Sequence, residues 1–207
     1  TDTEMLLSTM YVFYAKKVYD GIDSKKVKEM GWFLPRKNLS YENLLDSLLT
    51  DPKLLRKNEQ QLFGQYYKLR DVLKKYRQIE KNGGWNPIAI DSLEKTYKPS
   101  DSSKTIGQIR QRLALTGDLK LDSKSNVYDE ELMAGILNYK KRNGFNTDYL
   151  IASKHIQRMN IPIENYIKTI IANMERCRWI DPKLTKTDEY IIINIPSYQF
   201  FFKKNGQ

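Results

Sequence analysis

The sequence predicts a mainly α protein: a helical scaffold domain, a compact three-helix module and a short C-terminal β segment. Three observations carry that prediction. Apolar residues recur at three- and four-residue steps through most of the chain, capping residues and glycines bracket those stretches, and the strand-like runs fall together at 190–195 and 198–202. With 207 residues, 40% hydrophobic and 12% aromatic, the chain can bury real cores and lies far from a disordered composition.

Asp2 or Thr3 is placed to cap a first helix whose buried face reads Leu7, Met10, Tyr11, Tyr14 and Val18, and Gly21 ends it. A basic, irregular stretch with Trp32 and Pro35 follows. Ser40 opens a second helix carrying Leu44, Leu45, Leu48 and Leu49, and Asp51-Pro52 starts another by the rule that proline suits a first helical turn. The longest helix is expected within 59–80, with Leu62, Tyr66, Leu69, Leu73 and Tyr76 on one stripe. Gly83-Gly84 stops it, and Trp85-Asn86-Pro87 must be extended because the residue before proline avoids helical geometry.

Residues 91–103 read as a polar connection. Beyond it, a helix with Ile106, Ile109 and Leu113 closes at Gly117, Asp129 caps a helix with Leu132, Met133, Ile136 and Leu137 that closes at Gly144, and a short helix covers about 153–159. Pro162 begins the last long helix, whose stripe of Ile163, Ile167, Ile170, Met174 and Cys177 is sharply specified; Asp181-Pro182 ends it. The expected domains are therefore 1–100, a helical scaffold; 101–160, the three-helix module; 161–188, a long helix and connection returning to the scaffold; and 189–207, the first strands of a further, truncated domain. Lys203-Lys204-Asn205-Gly206 supplies a hairpin turn with no return strand after it, which leaves Phe200, Phe201 and Phe202 and their backbone groups expected without a partner of their own.

Net charge is +10, which suits polyanions, but the lysine pairs (16–17, 25–26, 74–75, 140–141, 203–204) are scattered over polar helix faces and read first as solvated surface. No apolar run approaches the length of a membrane span and no leader pattern appears, so membrane association is expected only through a segment outside these residues.

Few residues offer chemistry. Cys177 is the single cysteine and His155 the single histidine, which excludes an internal disulfide and leaves too few ligands for zinc. Cys177 points along an apolar stripe, where burial raises a thiol pKa, so it reads as packing despite neighbouring Arg176 and Arg178, themselves read as structural ion-pair partners. Asp118, Asp122, Asn126 and Asp129 fail the calcium-loop pattern because Lys124 takes a ligand position and no glycine makes the sharp turn. Glu130-Glu131 suits a helix N-terminus. No catalytic residue, cofactor site or metal site is expected.

Several segments resemble the large bacterial L,D-transpeptidases: Ile109-Arg110-Gln111-Arg112-Leu113 through Thr116-Gly117-Asp118, Tyr128-Asp129, Lys141-Arg142-Asn143-Gly144-Phe145, Met159-Asn160-Ile161-Pro162, and above all Asn173-Met174-Glu175-Arg176-Cys177-Arg178-Trp179 followed by Ile193-Asn194-Ile195-Pro196. More loosely, 11–21, 65–69 and Gly83-Gly84-Trp85 resemble that family's scaffold domain. The resemblance implies a scaffold with a peptidoglycan-binding-like module ahead of a catalytic domain in the cell envelope or periplasm, with peptidoglycan and the missing catalytic domain as partners, no cofactor and no nucleic acid. It also implies that this chain is inactive alone, because the family's cysteine and histidine pattern is absent, and that 193–196 is the first catalytic-domain strand. Where the family's module has Asp-Gly in the loop after its second helix, this chain has Asp148-Tyr149, which leaves glycan binding open. Two rival readings are a basic helical nucleic-acid-binding protein, which predicts steeply salt-dependent binding, and an adaptor docking through 200–202.

Overall fold

A computed structural model describes residues 1–33, 40–51, 62–90, 96–185, 188–194 and 198–204. The architecture is mainly α. Helices α1 (Asp2–Ala15), α2 (Ser24–Glu29), α3 (Tyr41–Thr50) and α4 (Gln65–Lys81) precede a two-residue strand β1 (Thr96–Tyr97). Then come α5 (Lys104–Thr116), α6 (Glu130–Asn143), β2 (Ile151–Ala152), α7 (Ser153–Met159), α8 (Ile163–Trp179), β3 (Glu189–Asn194) and β4 (Gln199–Lys204). The chain divides into two compact units, Lys75–Ile167 and the remainder, with the divisions falling inside α4 and α8.

In unit 2 (Lys75–Ile167) one core gathers Ile106, Ile109 and Leu113 of α5, Leu132, Ile136 and Tyr139 of α6, and Ile156 and Met159 of α7. Caps fix where those helices begin and end. Ser103 accepts from the Ile106 N–H at 3.2 Å, Asp129 accepts from the Leu132 N–H at 2.9 Å, and Gly117 and Gly144 close α5 and α6 in the left-handed conformation. Strand β1 pairs antiparallel with β2, Thr96 opposite Ala152 and Tyr97 opposite Ile151, a contact the periodicity did not suggest.

Buried charges complete this unit. The fully buried Arg110 donates to Asp129 (2.6 Å), Glu131 (3.0 Å) and the carbonyls of Ser125 (3.1 Å) and Val127 (2.9 Å). Lys140, 1% exposed, donates to Asp148 at 2.5 Å and to the Leu150 carbonyl at 2.6 Å. Arg142 grips the buried Asp118 through two bonds of 2.8 and 2.6 Å. Each charge is met by hydrogen-bonding partners, the condition under which burying it is tolerable.

In unit 1, Ala15, Tyr19, Leu44, Leu62 and Tyr67 form the core. Here the first-helix expectation is corrected. Thr1 is the N-cap, and Leu7, Met10 and Tyr14 are exposed while Ala15 and Tyr19 are buried. Because α1 is apolar on nearly every side, spacing alone could not choose its inward face. The irregular stretch after Gly21 contains α2, capped by Asp23. Ser40 caps α3 as expected, although Leu49 is 72% exposed. Asp51 is the C-cap of α3, and the helix expected to start at Pro52, like Pro35, lies outside the described residues. Helix α4 begins at Gln65, later than expected, so Leu62 precedes it.

The stripe of α8 is as read: Ile163, Ile167, Ile170, Met174 and Cys177 are all buried. Glu175 beside it accepts from the Ile22 N–H (2.6 Å) and Trp179 Nε1 (2.9 Å) and pairs with Arg178 (2.9 Å). Gly21, at φ 71°, admits that carboxylate where any Cβ would collide with it.

Strands β3 and β4 pair with each other, Ile191 with Phe202, Ile192 with Phe201 and Ile193 with Phe200. The backbone of 200–202 therefore has a partner, contrary to expectation, yet all six of those side chains remain exposed. Residues 205–206 of the expected turn lie outside the described residues.

Candidate functional site

A concavity lies in unit 2, between the extended segment 84–90 and α5. Gly83 and Gly84, at φ 99° and 70°, turn the chain out of α4. Asn160 then clamps Ile88 with both ends of its amide, accepting from the N–H and donating to the carbonyl at 2.8 Å each. Gln108 accepts from the Ala89 N–H at 2.9 Å, and Trp85 Nε1 donates to the Ile161 carbonyl at 3.1 Å. Arg112, 4% exposed, ties the segment from inside: it donates to the Asn86 carbonyl at 2.8 Å and to the Met159 carbonyl, and stacks on Trp85 at 4.5 Å. Burial pushes its pKa down to about 10, so it stays cationic at neutral pH.

Pinned this way, the segment leaves a cavity of about 430 Å³ whose lining includes Trp85, Asn86, Pro87, Gln111, Leu115 and Asp122. A second depression of about 290 Å³, lined by Lys104, Lys124 and Asn126 among others, shares Gln108, Gln111 and Asp122 with the first. Together they form one groove along the outer face of α5, roughly 16 Å from Lys104 to Leu115 at the helical rise. Its polar groups are mainly amides, with the Arg112 guanidinium in the larger depression and one carboxylate and two lysines toward the other end. That set can hydrogen-bond a hydroxylated or amide-bearing polymer; it holds no nucleophile and base in reach of each other.

The chemistry-bearing residues weighed from sequence fall elsewhere. Cys177 is 5% exposed, burial raises its thiol pKa, and Arg178 opposes this only weakly because its guanidinium is engaged by the Val18 carbonyl, Glu175 and Tyr66. Arg176 is exposed and donates to Asn173 at 3.2 Å. His155, in unit 2, is buried; its Nδ1 accepts from the Ala152 N–H at 2.9 Å, and burial, then Lys140 and Lys154, push its pKa down to about 4. Cys177 and His155 belong to different units.

Of the acidic loop, Asp118 is held by Arg142 and Asp129 by Arg110. Burial would raise the Asp129 pKa, but the Arg110 and Leu132 hydrogen bonds outweigh it and the net shift is downward. Asp148 accepts from Lys140 and from the Leu150 N–H, and the Tyr149 carbonyl accepts from Tyr128. Among the described residues no cluster of His, Cys, Asp or Glu is arranged to hold a metal, and no helix is long and apolar enough to cross a membrane.

The groove was not found from sequence. Its walls meet through Gln108 with Ala89 and Arg112 with Asn86, 19 and 26 positions apart, and the extended wall is pinned in turn by Asn160, 72 positions from Ile88; no local signal announces such contacts. Arg110 did carry a signal: it sits one helical turn from Ile106 on an apolar stripe, where a charge implies a buried partner.

These features define a mainly α protein with a helical first part and a grooved helical unit. Residues 1–73 match the family model described as a scaffold domain, about a third of the chain. No curated protein matches the chain.

Proposed function

We propose that this chain is the non-catalytic scaffold and peptidoglycan-binding-like region of a cell-envelope L,D-transpeptidase, with β3 and β4 as the first strands of its catalytic domain. The scaffold-domain match over 1–73 carries the reading. The signature around Glu175, Cys177 and Trp179 supports it, since Glu175, held by Trp179, ties α8 to the Gly21 turn as a fixed scaffold element. The α5 groove supplies the surface for peptidoglycan, with Gln111 and the Asn86 side chain as polar contacts that make no hydrogen bond among the described residues. In this role the chain positions substrate and catalytic domain and carries out no bond making.

Co-sedimentation with purified sacculi tests it. The chain is expected to be retained, and the double variant Asn86→Ala with Gln111→Ala is expected to lose roughly tenfold in affinity, the size of one or two net hydrogen bonds. Absence of retention, or retention that the double variant leaves unchanged, would overturn the glycan assignment.

A further inference from the structure

We propose that α1 is a self-association surface, pairing antiparallel with α1 of a second copy of this chain. The inference is independent of the glycan groove.

The outer stripe of α1, continued through the turn that follows it, is bounded by charge of opposite sign and is apolar between. Opposite its buried face, Asp2, Leu6, Met10, Phe13 and Lys17 follow one another at steps of four, four, three and four, the spacing of a single helical stripe. The helix runs without interruption into the π-helical turn Lys16–Asp20 that carries Lys17. Leu6, Met10 and Phe13 are 60%, 59% and 64% exposed, and Met5, Leu7 and Tyr14 flank them at 67%, 62% and 50%. At roughly 100 Å² of exposed surface each, these six side chains offer about 600 Å², close to the roughly 800 Å² per partner of a stable interface. Monomers seldom leave so much contiguous apolar surface open.

The stripe names its own partner because it reads nearly the same in both directions. Leu6 and Phe13 lie four and three positions either side of Met10, and Asp2 and Lys17 eight and seven. Two copies related by a two-fold axis through Met10 would set Leu6 against Phe13 and Asp2 against Lys17 twice, the self-complementary pattern that an isologous interface requires. A parallel pair would instead place like charges together at both ends. An anionic lipid surface fits less well: Asp2 and Glu4 occupy one end of the apolar stretch, and α1 lacks the basic polar face of an interfacial helix.

Sedimentation equilibrium of the 207-residue chain tests the proposal. A dimer is expected in the micromolar range, abolished by Met10→Glu with circular dichroism unchanged. Lys17→Glu is expected to raise Kd about tenfold or more, and Asp2→Lys combined with Lys17→Glu to restore it to within about threefold, because the exchange preserves antiparallel pairing. The proposal is overturned by a monomer at about 100 µM, or by charge exchange without rescue. It is also overturned by association that Phe200→Lys abolishes and Met10→Glu does not, which would assign it to the β3–β4 hairpin, or by a monomer retained on phosphatidylglycerol vesicles, which would assign α1 to a membrane.

Discussion

Unit 2 and unit 1 solve opposite problems. Unit 2 buries three cations, Arg110, Arg112 and Lys140, and satisfies them internally, and it gathers the apolar stripes of α5, α6 and α7 into one core, with Leu121 and Leu150 among the few large apolar residues left exposed. Unit 1 buries a smaller core and leaves α1 and the β3–β4 hairpin with their large apolar side chains open to solvent. A fold that hides charges but shows hydrocarbon has its energetics inverted region by region, and the inversion is informative. Unit 2 is built to keep one shape around a groove. Unit 1 is built to be covered.

The comparison breaks first if the buried charges of unit 2 are dispensable. Arg110→Ala would leave the carbonyls of Ser125 and Val127 unpaired and remove the link joining Asp129 and Glu131 to α5. A loss of roughly 3 kcal/mol or more is expected, and Arg110→Lys should recover little, because a point charge cannot reach four acceptors spread around a guanidinium. Hydrogen exchange should quicken in α5 and α6 and stay unchanged in α1. Equal acceleration in both places would mean that the two units are not energetically distinct.

Acid offers the next test. Burial and two nearby lysines hold the His155 pKa at about 4, below the ordinary 6.5, so the unfolded chain binds a proton there more readily than the native one. The contribution is fully present above pH 6.5 and is lost as pH falls from 6.5 toward about 4, on the order of 3 kcal/mol in all. His155→Asn keeps an acceptor for the Ala152 N–H but cannot titrate. Its denaturation midpoint should therefore fall less across that window than the parent's, with only carboxylates such as Asp129 contributing as pH nears 4. A parent without that decline would show that His155 is not held neutral in the native state.

What the sequence made legible divides along the same line. In unit 2 the apolar stripes of α5 and α6 were readable because each helix has one apolar face and capped ends, and the span of α7 matches the expected 153–159. In unit 1, α1 misled because it is apolar all round, and only tertiary contact through Ala15 and Tyr19 selects its inner side. Helix α8 was read correctly along its whole stripe, from Ile163 to Cys177, and its periodicity needed no knowledge of partners. The groove and the β1–β2 pairing were illegible for the opposite reason: each rests on a few residues that meet across the sequence, 19 to 72 positions apart for the groove and more than 50 for the strands. Sequence periodicity reports faces, and it is silent on which distant segment a face will meet.

The smallest expected effect is the most discriminating for unit 1. A two-stranded hairpin alone is marginal in water, and its cross-strand pairs contribute only about 0.2–1 kcal/mol each. The Glu189–Lys204 bridge at 2.7 Å is exposed on both sides and adds little. If β3 and β4 are an element awaiting cover, replacing Phe200 with Lys and its partner Ile193 with Thr should leave the stability of α3 and α8 unchanged within about 0.5 kcal/mol. The same exchange should lower binding of an apolar dye and slow aggregation, since two exposed hydrocarbon side chains are removed from one sheet face. A larger loss of helix stability would mean that the hairpin already supports unit 1 from within, and the contrast between the two units would then rest on α1 alone.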